Sequence, residues 1–185
     1  MQKDSTRQTT FHRQNKNRMT SQEFLRQIDK SIPKNSRDLI IEFFFAFSRF
    51  EYSLKETSFA NGTDKEIKPN WDKFVKSIRK HFLKTKTEEL NKAVNYIIAK
   101  PPKIQAYKNK KVSWRKRQLA TNEPLINILK NHICDIRNNL FHGGKNRNQK
   151  EMSRDSMLLR SALMVLNEWL NLSEEVKNKF LTPIN

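Results

Sequence analysis

Residues 36–59 carry apolar side chains at the spacing of an α-helix, and this pattern limits the fold more than any other feature of the chain. One stripe repeats every three or four residues and consists of Ile40, Phe43, Phe47, Phe50 and Leu54. A second apolar patch lies beside it and consists of Ile41, Phe44 and Phe45. A helix that is apolar on two sides must bury both, so we expect it at the centre of a bundle or shared with a second subunit.

The rest of the chain also favours helices. Only three Gly and six Pro occur in 185 residues, so few residues interrupt helical segments. Capping patterns and helix-ending signals, including Asn61-Gly62, divide the chain into predicted helices. These cover 21–31, 36–59, the segments from Asn70 to Phe82, Thr85 to Pro101 and Asn122 to Gly143, and 150–172. We therefore predict an all-α fold, a bundle of four main helices plus short helices.

Residues 1–20 differ in composition from the remainder. They hold five basic residues against one acid and few apolar side chains, which is typical of disorder. We predict a disordered basic arm at 1–20 and a single helical domain at 21–185. The one cysteine, Cys134, cannot form a disulfide within the chain, and no secretory or transmembrane pattern is present. We therefore expect a cytoplasmic protein.

The balance of charge points to a polyanionic partner. The chain has 37 Lys and Arg against 19 Asp and Glu, a formal net charge of +18. Nucleic acid is the commonest partner of such a surface, and an anionic membrane surface is the alternative. A simpler interpretation is a source proteome in which Lys and Asn are abundant. Neither GxxxxGK[ST] nor GxGxxG occurs, and neither does CxxC or HExxH, so we expect no nucleotide cofactor and no metal site.

The segment around Arg137 carries the clearest chemistry. Arg137 follows the apolar stripe of its predicted helix, and His142 precedes the two glycines that end it. The negative pole of a helix favours the imidazolium form of a histidine, and an imidazole can take and return protons near neutral pH. A guanidinium offers phosphate a planar, charged fork. These are the minimum parts for cleaving RNA without a metal, by activating the ribose 2′-hydroxyl and steadying charge on the phosphorus oxygens.

Two observations count against this interpretation. Arg and His in the last turn of a helix also complement its negative pole without any chemistry. In addition, five residues of ideal helix turn the two side chains about 140° apart. Arg137 and His142 would therefore share a face only if the helix end unwinds or a second subunit completes the site.

The segment 137–142, Arg-Asn-Asn-Leu-Phe-His, resembles the signature of HEPN domains. That signature is Arg, four to six residues and then His, commonly with Asn after the Arg. HEPN domains are α-helical bundles found in RNA-cleaving toxins, abortive-infection proteins and CRISPR effectors. The Phe-rich segment 42–54 is also similar to the first long helix of a plasmid- and prophage-borne HEPN subfamily. The resemblance covers about residues 36–172.

The resemblance implies a homodimer in which two motifs face each other and form one composite active site. Such a dimer would account both for the angle between the two side chains and for the helix that is apolar on two sides. Arg137 and His142 would be the catalytic pair, and Asn138 would orient the site. Cleavage would need no metal and would leave a 2′,3′-cyclic phosphate or a related 3′-phosphate end and a 5′-hydroxyl.

The resemblance further implies a supporting polar residue from the first long helix. Glu51 is the candidate, with Arg49 behind it, and the alternative is an exposed carboxylate that pairs with Lys55 one turn later. The expected function is a toxin or phage-defence endoribonuclease, with an antitoxin or regulator as a further partner. The alternatives are a non-catalytic RNA-binding module and a partner subunit of a toxin–antitoxin pair.

Residues 103–117 hold seven Lys or Arg and no acid. Basic side chains can bind phosphates, and Tyr107 and Trp114 among them can stack on bases, so we predict an RNA-binding segment. The alternative is a solvated run of charges with an anchoring Trp. The predicted RNA-binding residues are Lys110, Lys111, Trp114 and Arg115, together with Lys145 beyond the motif.

Two other residues are predicted to be structural. His132 lies near the apolar stripe of its helix. We expect it to be a partly buried structural residue rather than a second catalytic residue. Cys134 has no histidine at a known catalytic spacing, and we expect it to be a small buried apolar residue.

Overall fold

The computed structural model describes residues 20–84, 87–141 and 149–183. The chain divides into two compact units, residues 1–34 and 35–185. In the first unit, helix α1 (Ser21–Ser31) begins with the predicted capping box. The Thr20 N–H donates to Glu23 Oε2 at 2.7 Å, and the Glu23 N–H donates to Thr20 Oγ1 at 3.1 Å. Apart from Thr20, the predicted arm at 1–20 lies outside the described residues.

Five of the other described helices lie on predicted segments, and the sixth, at residues 174–181, has no counterpart among the predicted helices. They are α2 (Lys34–Lys55), α3 (Trp71–Phe82), α4 (Glu88–Ala99), α5 (Leu125–Phe141), α6 (Gln149–Asn171) and α7 (Glu174–Leu181). Asn70 caps α3 as predicted, since its side chain accepts a hydrogen bond from the Lys73 N–H. The cap of α4 is Thr87, whose hydroxyl accepts from the Leu90 N–H. Among the described residues, no helix is both long and apolar enough to cross a membrane.

The prediction of an all-α fold is wrong, because the described residues also form two antiparallel hairpins. One pairs β1 (Ala60–Thr63) with β2 (Glu66–Pro69), and the other pairs β3 (Lys103–Lys108) with β4 (Lys111–Lys116). Most strand residues are exposed and many are polar, and β1 and β2 lack the alternating apolar pattern that marks a half-buried strand. In β3 and β4 the alternation is limited to Ile104 and Ala106 and to Val112 and Trp114, and lysines flank it on both sides. Asn61-Gly62, read from sequence as a turn, lies inside β1.

Aromatic rings join α2, α3 and α6 in the core. Trp71 of α3 stacks on Phe50 of α2, with ring centroids 5.3 Å apart, and Phe74 meets Trp169 of α6 at 6.3 Å. The predicted stripe of α2 is buried at Phe43, Phe47, Phe50 and Leu54. The second patch of α2 is not buried, and this difference matters for the site described below.

Hairpin β3–β4 closes through a two-residue turn with unusual backbone angles. Asn109 and Lys110 have φ values of 53° and 59°. Positive φ at both central residues is the type I′ arrangement, whose twist matches that of paired strands. Asn tolerates this conformation, whereas Lys adopts it rarely. The turn therefore holds a lysine where glycine is the usual residue.

Candidate active site

Arg137 lies on the side of α5 that faces α2. Its neighbour Ile136 belongs to the buried stripe, so the next side chain emerges at the edge of that stripe. One Arg137 nitrogen donates to Glu51 Oε2 at 3.3 Å, and another donates to Asn138 Oδ1 at 3.0 Å. The guanidinium carbon lies 5.5 Å from the centroid of the Phe47 ring. The arginine is thus held by a carboxylate, an amide and an aromatic ring.

Glu51 is itself fixed by a third helix. Its Oε1 accepts a hydrogen bond from Trp71 Nε1 at 3.3 Å, while Oε2 accepts from Arg137. Phe47 and Glu51 are one turn apart on α2, so both reach α5 from the same face. The Trp71 ring also stacks on Phe47, with centroids 5.5 Å apart. Helices α2, α3 and α5 therefore each contribute to the position of one guanidinium.

The site is partly open to solvent. The side chain of Arg137 is 40% exposed and that of Glu51 is 24% exposed. An ion pair this exposed stabilises a fold by about 1 kcal/mol or less. The pair consequently orients the guanidinium more than it stabilises the fold, and the exposed part can be reached by a ligand.

The structure brings together three of the four residues predicted for the catalytic site. Arg137, Asn138 and Glu51 are in contact, although the sequence distance between Glu51 and Arg137 is 86 residues. His142 lies outside the described residues, as do the glycines that follow it. Sequence reasoning assigned Phe47 and Trp71 to the core alone. A buried Trp needs a partner for its N–H, and that requirement was the signal for the contact with Glu51.

Comparisons with protein-family models, curated protein sequences and solved structures find no match. The resemblance of residues 137–142 to the HEPN signature therefore rests on those residues and their setting. That setting is a long aromatic helix packed against the helix that bears the motif.

Arg49 does not stand behind Glu51. Its Nε donates to the backbone carbonyl oxygen of Phe180 at 2.9 Å. Its Nη2 donates to the backbone carbonyl oxygen of Lys179 at 2.7 Å and also to the backbone carbonyl oxygen of Thr182. These carbonyls lie at the end of α7, where a helix leaves acceptors without intrahelical partners. Arg49 thus anchors α7 to α2 and has a structural role.

Hairpin β3–β4 is attached to α5 at two points. Arg117, directly after β4, donates to both carboxylate oxygens of Asp135, at 2.7 and 2.5 Å. Asn139 Nδ2 donates to the carbonyl oxygen of Lys103, the first residue of β3, at 2.7 Å. Sequence reasoning missed both attachments. The signal for the first was Asp135 itself, an acid beside the apolar stripe of its helix that needs a buried partner.

Asp135 lies in a buried, polar part of α5. Burial alone raises the pKa of its carboxyl, but the hydrogen bonds from Arg117 and the proximity of the His132 imidazole outweigh burial, and the net pKa is lowered. His132 is 3% exposed, and its Nδ1 lies 3.9 Å from Asp135 Oδ2. This burial agrees with the structural role predicted for His132.

Cys134 is not equipped to act as a nucleophile. Burial raises the pKa of its thiol to about 12, and the Glu51 carboxylate adds to the effect. The thiol is therefore protonated near neutral pH, and a protonated thiol is a weak nucleophile. Cys134 was predicted to be a small buried apolar residue, and it is half-buried in the structure.

The predicted RNA-binding residues lie on hairpin β3–β4. Lys110 is in the turn, and Lys111, Trp114 and Arg115 are in β4. Lys111 and Arg115 are exposed, whereas Trp114 is half-buried. Lys145 lies outside the described residues. The hairpin thus gathers most of these residues onto one projecting element.

Proposed function

We propose that this protein is a metal-independent endoribonuclease of the HEPN type that acts as a toxin or phage-defence effector. The observation that carries the proposal is the setting of Arg137. The arginine of the HEPN-like segment is held by Glu51, Phe47 and Asn138, while 40% of its side chain stays exposed. A guanidinium oriented before a ligand arrives can bind a phosphate with little loss of freedom.

In the proposed reaction, His142 removes the proton of a ribose 2′-hydroxyl, and the 2′-oxygen attacks the adjacent phosphorus. The bond between phosphorus and the 5′-oxygen breaks, and the 5′-oxygen takes a proton from an imidazolium. The products are a 2′,3′-cyclic phosphate and a 5′-hydroxyl. Arg137 binds the non-bridging oxygens, on which negative charge increases during the attack.

Glu51 acts in this proposal as a positioning residue. Its carboxylate touches Arg137 and Trp71, so it fixes the plane of the guanidinium relative to α2 and α3. Without it, the arginine would keep its charge and lose its orientation. Orientation of reacting groups contributes strongly to catalysis, because it replaces freedom that must otherwise be lost during the reaction.

Replacement of Arg137 tests the proposal directly. Arg137→Ala is expected to slow RNA cleavage by roughly 10²–10³-fold, as does loss of a positioned charge donor at other active sites. Arg137→Lys keeps the charge without the planar fork and should recover only part of the rate. The measurement is cleavage of total cellular RNA by purified protein in excess EDTA, with end-group analysis of the products.

Arg79→Ala is the matched control, since Arg79 is an exposed arginine on α3 outside the site. It should cleave at the wild-type rate. Equal cleavage by wild type and Arg137→Ala would exclude Arg137 from the reaction. If wild-type protein binds RNA without cutting it, the chain is a binding module instead.

The exposed patch of α2 supports a homodimer. Ile41, Phe44 and Phe45 are 50%, 40% and 65% exposed, and Tyr52 is 44% exposed. Apolar side chains at this spacing form a continuous exposed face on a helix. The patch adjoins the site, because Phe44 and Phe47 are neighbours three residues apart on α2. A second copy that covered the patch would therefore bring its own motif close to Arg137.

Ile41→Glu tests this dimer with a closely matched control. Ile41 on α2 and Ile67 on β2 are both isoleucines with 50% exposure. Ile41→Glu is expected to yield monomers with little cleavage activity, because a charge would be buried in the interface. Ile67→Glu should leave the mass and activity unchanged. Sedimentation analysis gives the mass, and a monomeric wild type with full activity would contradict the composite site.

A further inference from the structure

Hairpin β3–β4 presents an exposed apolar face amid positive charge. Directly opposed residues of an antiparallel pair point to the same side, so Tyr107 and Val112 share one face with Gln105 and Trp114. Tyr107 is 77% exposed and Val112 is 66% exposed. Trp114, farther from the turn on this face, is half-buried. The opposite face holds the half-buried residues Ile104, Ala106 and Ser113, together with the exposed residues Lys108, Lys111 and Arg115. We call the face of Tyr107 the outer face.

Lysines of the two strands lie directly opposite one another in the hairpin. The register places Lys103 directly opposite Lys116, and Lys108 directly opposite Lys111. Like charges at such positions destabilise a pair of strands. The turn between Lys108 and Lys111 adds Lys110 in a conformation that lysine rarely adopts. These lysines do not stabilise the hairpin, and a bound polyanion would relieve their repulsion.

The attachment points set the root of the hairpin on the side of α5 opposite Arg137. Asp135 and Asn139 are one turn apart on the same face of α5, and they hold the end of β4 and the start of β3. Arg137 lies between them along the helix, on the other side. The root of the hairpin and Arg137 are therefore separated by about one helix diameter, roughly 10–12 Å, which a strand of a few nucleotides can span.

We propose that the outer face of hairpin β3–β4 binds a single-stranded stretch of RNA, with a base stacked on the Tyr107 ring and phosphates on Lys103 and Lys116, which the register places on that face. Stacking on an aromatic side chain needs an unpaired base, because both faces of a paired base are covered within a duplex. The inference names single-stranded RNA as the substrate class, and in that respect it rests on the proposed nuclease function. The binding itself does not depend on cleavage.

The test is a binding measurement by fluorescence anisotropy with the full chain. The probe is labelled oligoadenylate of about 12 nucleotides, within the span of known single-strand sites, with 2′-O-methyl riboses that prevent cleavage. Tyr107→Ala is expected to weaken binding by about 5- to 150-fold, the range for loss of one stacking contact. Tyr107→Phe keeps the ring and should retain most of the affinity. Binding of the matching oligoadenylate–oligouridylate duplex should be the same in all three proteins.

Charge and stacking are separated by a second variant. Replacing Lys103 and Lys116 by Gln is expected to weaken single strand and duplex together and to reduce the salt dependence of binding. Unchanged binding by Tyr107→Ala, an equal loss in Tyr107→Phe, or an equal loss for the duplex would overturn the proposal. If binding depends on the Tyr107 ring but wild-type protein cleaves no RNA, the hairpin inference stands and the nuclease proposal fails.

Discussion

His142→Ala is expected to abolish RNA cleavage while leaving RNA binding nearly intact. A positioned general acid and base contributes about 10²–10⁴-fold to a reaction rate, and in the proposed mechanism the His142 imidazole takes and returns the proton. Burial raises the pKa of the Cys134 thiol to about 12, so this thiol does not replace the imidazole as a base near neutral pH. His142 directly follows α5, the helix that carries Arg137. Binding should persist because phosphate contacts from basic side chains remain.

The control for this prediction is His81→Ala, which removes an exposed histidine of α3. It should cleave as the wild type does. Single-turnover rates and RNA affinity are measured for each variant, so that chemistry and binding are separated. Cleavage by His142→Ala at the wild-type rate would remove His142 from the mechanism, and the Arg137 site would then need a different proton acceptor.

Arg117→Ala is expected to destabilise the protein by about 3 kcal/mol or slightly more. Asp135 is 3% exposed, and removal of its partner leaves a buried carboxylate without compensation. The estimate lies at the lower end of the range for broken buried pairs because Arg117 itself is 33% exposed. Urea unfolding followed by circular dichroism measures the change. The double variant Arg117→Met, Asp135→Leu should lose less stability than Arg117→Ala, since it leaves no buried charge.

The effect of Arg117→Ala should depend on pH. In the wild type, the pKa of Asp135 is lower in the folded than in the unfolded protein. The contribution of its carboxylate to the free energy of unfolding is therefore complete above the unfolded pKa of about 4, and it is lost as pH falls through the folded pKa. In the variant, burial without a partner raises the pKa of the same carboxyl. The carboxylate is therefore protonated at mildly acidic pH, and the cost of burying an unpaired charge disappears. The stability difference should therefore narrow between about pH 7 and about pH 4. A difference that stays constant would argue against a charge effect.

The chemistry of the candidate site depends on contacts between residues that are distant in sequence. Glu51 was predicted as a supporting residue, yet its two partners, Arg137 and Trp71, belong to other helices. The alternative prediction paired it with Lys55 on its own helix. Helical spacing shows which face of α2 carries Glu51, but it does not show which helix packs against that face. Arg49, predicted to lie behind it, points instead to the end of α7.

The sequence by itself determined the helices and the buried stripe of α2. Both depend on local periodicity, since residues three and four apart share a face of a helix whatever surrounds it. The exposed patch of α2 was also visible as a second apolar side. Only the tertiary structure decided the two hairpins, the Arg117–Asp135 pair and the setting of Arg137. The strands are short and mostly exposed, so they carry only a weak local signal. The Arg117–Asp135 pair and the contacts of Arg137 join segments that are distant in sequence, and their approach depends on how the helices pack.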